Sequence, residues 1–342
     1  MNRVSRLAWA LWLVACAAAL LAQQPTIQGV EAVGVTVSDL DRSVDFYTKV
    51  LHFQQESEVE LSGSDVEHLK GVFGVRMRVA RLRLGSEQIE LTEYLAPQGR
   101  PLPIDSHSND LWFQHIAIVV SNMDDAYRWL REHRVQHVSS GPQTLPAWNA
   151  QAGGIQAFYF RDPDGHVLEI IHFPAGKGDP RWQQHGPELF LGIDHTAIAV
   201  SNTEASLAFY RDGLGMHIAG TSENYGDEQE HLNNVFGARL RITSLRASHG
   251  PGIELLEYLA PQTGRKIPDD IRANDQAHWE TIVEDDDLHA AWKYFTNSQT
   301  KMISSEIETL EHRSEFLFAD PDGHVIAVIE SGNKVAASGK GR

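Results

Sequence analysis

The chain has 342 residues, long enough for two domains of ordinary size. Its 42% hydrophobic and 8% aromatic residues suffice for packed cores, and its single cysteine excludes a disulfide framework. A formal net charge of -17 argues against nucleic acid or an anionic membrane surface as partner, because both recruit lysine and arginine.

The first 22 residues differ from the rest. Arg3 and Arg6 precede an apolar run over 7–22, rich in Ala and Leu and too short to span a bilayer well. This reads as a secretory signal peptide cut near Ala22. The mature chain is then periplasmic or secreted, free of thiols, and not inserted in a membrane. Residues 13–16 (LVAC) resemble a bacterial lipobox, but the apolar run continues past Cys16, which argues against a lipid anchor there.

Alternation over 32–37 puts Val33, Val35 and Val37 on one face of a strand. Ser38 and Asp39 are helix-capping residues, and Leu40, Val44, Tyr47 and Leu51 recur at helical spacing. Three strand-like segments follow, near 53–60, 76–84 and 88–94. The order is strand, helix, three strands, and it recurs. A second copy starts at His115 with HIAIVV and ends in RDPDGHVLEI. A third starts at His195 with HTAIAV and ends in GIELLEY. A fourth starts near His278 with HWETIV and ends in DPDGHVIAVIE.

A longer period lies over this one. EHLKGVFGVRMRV (67–79) matches EHLNNVFGARLRI (230–242), and ELTEYLAP (90–97) matches ELLEYLAP (254–261). Units one and three are therefore kin, as are two and four, and such repeats are strong evidence for architecture. The sequence divides into a leader (1–22), a first domain of units one and two (28–173), a linker (174–191), a second domain of units three and four (192–331), and a tail (332–342) expected to be disordered.

His115 and His195 sit at the same place in first strands, and glutamates follow 54 and 59 residues later, at Glu169 and Glu254. A lone strand histidine is ordinarily structural; the recurrence of the pair points to metal binding. His166 and His324 follow DPDG turns, where Asp and Gly shape the chain, and read as structural. Glu67-His68 and Glu230-His231 read as a loop or strand over the site. Trp112, Trp148 and Trp279 suit either core packing or the wall of a ligand pocket.

Four strand–helix–three-strand units with these histidines, glutamates and DPDG turns resemble the vicinal oxygen chelate superfamily over about 30–330. That superfamily includes glyoxalase I, extradiol dioxygenases, fosfomycin and bleomycin resistance proteins and methylmalonyl-CoA epimerase. The resemblance implies an α+β fold: four βαβββ modules pair into two domains, each with a cup-shaped mixed sheet that holds a metal. Each module offers one ligand position on its first strand and one on its last. In this sequence the first-strand positions are Ala32, His115, His195 and either Glu280 or His278. The last-strand positions are Glu90, Glu169, Glu254 and Ala327.

If consecutive modules pair, each cup lacks one ligand. If two pairs with three and one with four, as in single-chain double glyoxalases, one cup is complete with His115, Glu169, His195 and Glu254. The similar linkers PQGRPLPIDSHSND and PQTGRKIPDDIRAND favour consecutive pairing. The four central residues are candidates under both schemes, with Glu90, His278 and Glu280 behind them. Two imidazoles and two carboxylates suit a divalent first-row ion such as Fe, Mn, Ni, Zn or Co.

The implied function is that of an exported, metal-dependent lyase or isomerase of glyoxalase type, binding a small substrate through vicinal oxygens, with Glu169 or Glu254 as base. A ring-cleaving dioxygenase is the first alternative, although Ala327 stands where its final-strand glutamate belongs. A non-catalytic binding or resistance protein is the second. Export argues against a glutathione-dependent role.

Overall fold

The computed structural model describes residues 24–298 and 300–332. The expected leader with Cys16, and the tail from 333 onward, lie outside the described residues. No described helix is long and apolar enough to cross a membrane.

Unit one comprises β1 (Gly29–Val37), a helix Leu40–Lys49, β2 (Gln54–Ser62), β3 (Arg76–Leu84) and β4 (Glu87–Ala96). Unit two comprises β5 (Gln114–Val120), a helix Met123–Glu132, short β6 (Gln136–His137) and β7 (Gln143–Thr144), then β8 (Gln156–Arg161) and β9 (Val167–His172). Unit three runs from β10 (Phe190–Val200) through a helix at Thr203–Leu207 to β11 (His217–Tyr225), β12 (Arg239–Arg246) and β13 (Gly252–Ala260). Unit four holds β14 (Trp279–Asp285), a helix Leu288–Asn297, β15 (Lys301–Met302), β16 (Glu308–Leu310), β17 (Arg313–Ala319) and β18 (Val325–Glu330).

The first helix of every unit starts with the same device. The side chains of Asp39, Asn122, Asn202 and Asp287 accept the backbone N–H three residues on, satisfying a donor the helix leaves free. The EHL motifs correct the sequence reading: they lie in short helices, Ser64–Lys70 and Asp227–Asn233, not in a loop or strand.

The sheets overturn consecutive pairing. One runs β15-β17-β18-β14-β1-β4-β3-β2, joining units one and four; the other runs β11-β12-β13-β10-β5-β9-β8-β6, joining two and three. Consecutive units meet instead on the helix side. Leu40, Tyr47, Ile116, Leu130 and Phe158 share one core, and Leu207, Tyr210, Phe295 and Phe316 share another. The linkers look alike because they tie to each other. Arg100 in the first grips Asp275 in the second at 2.6 Å, and Arg265 in the second grips Asp110 in the first at 2.7 Å.

The DPDG histidines are structural, as the turn chemistry implies. Asp162 accepts the N–H groups of Asp164 and His166 and holds the His166 ring, whose Nε2 reaches the Gln276 carbonyl. Asp320 and His324 repeat this toward the Leu111 carbonyl. His172 faces away from Glu169 and contacts the Val120 carbonyl. Trp279 packs edge-on against His166, and Trp112 donates to Ser106. Trp148 is half exposed and packs tilted against Tyr225.

Candidate metal centre

Strand register builds the site in the sheet of units two and three. Ala197 on β10 lies opposite His115 and beside Glu254; Ala117 on β5 lies opposite His195 and beside Glu169. Side chains alternate along a strand, so all four functional groups rise from one face. Ile116, Ile118 and Val120 point the other way into the helix-side core.

The four groups converge. His115 Nε2 lies 3.0 Å from Glu169 Oε2, and His195 Nε2 lies 3.6 Å from the same oxygen and 3.4 Å from Glu254 Oε2. Donor atoms of His115, Glu169 and His195 all fall within 4.8 Å of one another. These three are buried, while the Glu254 side chain keeps 21% exposure to an adjoining cavity of about 1070 Å³. Burial would raise the Glu169 carboxyl, but hydrogen bonds and charge from His115 and His195 outweigh it and hold it below its ordinary value. Burial opposes charge on His195 too; Glu254, Asp194 and Glu169 prevail and push that imidazole up to about 10.

These residues fit a divalent cation. Among the described residues neither Glu169 nor Glu254 has a lysine or arginine within ion-pair distance; their hydrogen-bonding partners are imidazoles and the Ser244 hydroxyl. Two imidazoles and two carboxylates converging without a lysine or arginine among them are a first-row metal donor set.

One participant escaped the sequence reading. Asp194 accepts from His195 Nδ1 at 3.0 Å. Strict alternation sends neighbouring residues to opposite faces. A register irregularity of β10 against β5 between Ile193 and His195 breaks that rule, as bulges do. Burial would raise the Asp194 carboxyl, but His195 and Arg246 hold it far below the usual range.

The sheet of units one and four repeats the geometry with other residues. Gly34 on β1 pairs with Glu280 and with Glu90, and Ala327 lies beside Ile282. Glu280, not His278, therefore holds the position equivalent to His115; His278 flanks it at 3.0 Å. Lys70 Nζ spans both Glu280 oxygens at 2.9 and 2.8 Å. Arg81 and Arg313 clasp Glu90 at 2.7 and 2.5 Å, and Arg313 also binds Glu315 at 3.1 Å. Glu90, His278 and Glu280 are brought together with cations, away from His115 and His195. The EHLK/EHLN difference, Lys70 against Asn233, was the available sequence signal.

A family model described as the glyoxalase/bleomycin resistance protein/dioxygenase superfamily matches residues 29–170 and 192–328. Over 163 residues the chain is 35% identical to a 2-epi-5-epi-valiolone epimerase from Actinomyces sp, covering 44% of this chain and 83% of that protein. Over 146 residues it is 26% identical to metallothiol transferase FosB from Staphylococcus epidermidis, covering 42% of this chain and 81% of that protein. Among solved structures, glyoxalase I from Zea mays superposes with a TM-score of 0.58 at 16% identity, over 88% of this chain and 92% of that one. A putative dioxygenase from Bacillus subtilis gives 0.58 at 14% identity, over 90% and 86%. At such identities the structural likeness speaks for the fold.

Proposed function

The chain belongs to the glyoxalase/bleomycin resistance protein/dioxygenase superfamily, and from that premise we propose that it is a metal-dependent isomerase, epimerase or lyase acting on a small hydroxycarbonyl compound. The observation that carries this reading is the convergence of His115, Glu169, His195 and Glu254 in one cup with no fixed cation among them. A divalent ion held there would supply Lewis acidity toward two vicinal oxygens of the substrate. The similarity to an epimerase supports proton transfer beside a carbonyl as the reaction class.

The two carboxylates divide the work. Glu169 is buried and gripped by both imidazoles, which suits a permanent ligand. Glu254 is partly open to the cavity, approached by His195 at 3.4 Å, and its Oε1 accepts from the Ser244 hydroxyl at 2.5 Å. It is the better base. Glu254 takes the proton from the carbon next to the carbonyl while the C–H electron pair delocalises into the carbonyl. Return of a proton to the carbon completes an isomerisation or epimerisation.

Two measurements test this. The double variant His115→Ala/His195→Ala should lose its metal; stoichiometric metal retained by that variant would refute the site. Glu254→Gln should keep the metal yet lose solvent deuterium incorporation into a hydroxyketone substrate by at least about a hundredfold. Oxygen uptake with catechols in place of that exchange would favour the dioxygenase reading. Export remains part of the proposal, supported by the apolar leader, and cell fractionation tests it.

A further inference from the structure

We propose that the linker between units two and three is part of the metal site, and that Asp194 and Trp182 act as positioning residues for His195. The inference rests on reading this cup as a metal site. An imidazole that ligates through Nε2 is best oriented when its Nδ1–H donates to a fixed acceptor. Asp194 Oδ2 is that acceptor for His195, at 3.0 Å. Among the described residues His115 has no such partner: its Nδ1 is buried and unpaired. The two imidazoles are therefore unequal, and His195 is the one whose direction is set in advance.

Asp194 is itself held from two sides. Arg246 Nη2 donates to its Oδ2 at 2.9 Å and Nη1 to its carbonyl at 2.8 Å. Trp182 Nε1 donates to its Oδ1 at 2.9 Å. Trp182 belongs to the linker. It sits in a 3-10 turn, Pro180–Gln183, whose start is capped by Asp179. Its ring is buried against Ala117, Val119, Ile171 and Phe173, on the cup face of the sheet.

The turn is anchored beyond the cup. Arg181 lies 3.9 Å over the Trp182 ring and reaches Glu87 of unit one at 2.6 Å. The other Glu87 oxygen accepts the backbone N–H of Ile193 at 3.1 Å, just before Asp194. Glu87, Arg181 and Trp182 thus brace the β10 irregularity from both sides. In the other cup the residue matching Asp194 is Glu31, which approaches Arg81 at 3.4 Å, and Ala32 follows where His195 would be. The bracing accompanies the imidazole.

The test uses the full chain loaded with Co(II), read by its visible ligand-field bands and by competitive metal affinity. Asp194→Asn keeps shape and removes the charged acceptor; it should weaken metal affinity about 10- to 100-fold and shift the bands. Trp182→Phe removes the N–H donor together with part of the buried indole, and should produce a smaller shift in the same direction with a few-fold weaker affinity. Thermal unfolding checks that both variants fold; if Asp194→Asn does not, Trp182→Phe decides alone. Unchanged bands and affinity in a folded variant overturn the inference while leaving the metal site intact. Failure of the wild-type chain to take Co(II) overturns both readings. Shifted bands without any proton-exchange activity would sustain the inference and sink only the proposed reaction.

Discussion

The two cups share a register and differ in how they settle buried charge. In the cup of units two and three the ligand positions hold His115, Glu169, His195 and Glu254. In the other the same positions hold Glu280, Ala327, Ala32 and Glu90. Losing one histidine and one glutamate, and exchanging a second histidine for glutamate, leaves two buried carboxylates. Such groups cannot stay ionised in a protein interior unpaired. Lys70, Arg81 and Arg313 supply the charge where the first cup has Asn233, Ser244 and Ile155. Glu315, at the place that Ala157 holds in the first cup, balances the surplus.

Loop length decides which cup can do this. The β16–β17 connection is a two-residue turn, Glu311 and His312, both at positive φ, which delivers Arg313 straight into the cup. The β7–β8 connection is longer (145–155), and Leu145, Gln151, Ala152 and Ile155 line the cavity instead of filling it. One cup is open and short of cations; the other is closed and neutralised from within.

Lys70→Met should damage the closed cup most. Lys70 is 7% exposed and binds both Glu280 oxygens, so its loss leaves a buried carboxylate with the His278 imidazole as its remaining partner. Unfolding in urea should register a loss of about 3–5 kcal/mol, most of it recovered in Lys70→Met/Glu280→Leu. Asn233→Ala at the matching position should cost clearly less. Equal losses at the two positions would mean that the cups do not differ as described. The metal content of the intact cup should not change in either variant of Lys70.

Much of this was legible in the chain. The repeat, the N-caps, the DPDG turns and the four central ligand candidates follow from periodicity and from residues at fixed places. The pairing of units did not follow, because likeness between linkers reports an equivalent role and not a shared sheet. Arg100 and Arg265 look alike for reaching across to each other's acidic partners. Asp194 was hidden by a bulge that alternation cannot anticipate. The cations at 70, 81 and 313 come from three separate elements, and only tertiary contact assembles them around Glu280 and Glu90.

Acid weakens the closed cup through Glu90. Burial alone would raise the Glu90 carboxyl, but Arg313 and Arg81 outweigh it and lower it from 4.5 to about 2. A carboxyl lower in the folded than in the unfolded chain adds stability above its unfolded value, and that stability is lost as pH falls through the folded one. Metal-free protein should therefore lose on the order of 1–3 kcal/mol from this group between about pH 5 and pH 2. Urea unfolding across that range should show a shallower slope for Glu90→Gln; an unaltered slope would mean that the guanidinium clasp does not govern this titration.

The smallest effect concerns the open cup's loop. Asn149 donates to Asn224 at 2.7 Å and accepts the backbone N–H groups of Gln151 and Ala152 at 3.2 and 3.0 Å. It pins the 145–155 connection both to itself and to β11 across the cavity. Asn149→Ala should cost about 1 kcal/mol. Because these bonds secure a surface connection and not the core, the cost falls on local opening more than on global unfolding. Limited proteolysis should speed up within 145–155 and leave the tight Glu311–His312 turn of the closed cup uncut. Cleavage appearing equally at both turns would show that loop length is not what separates them.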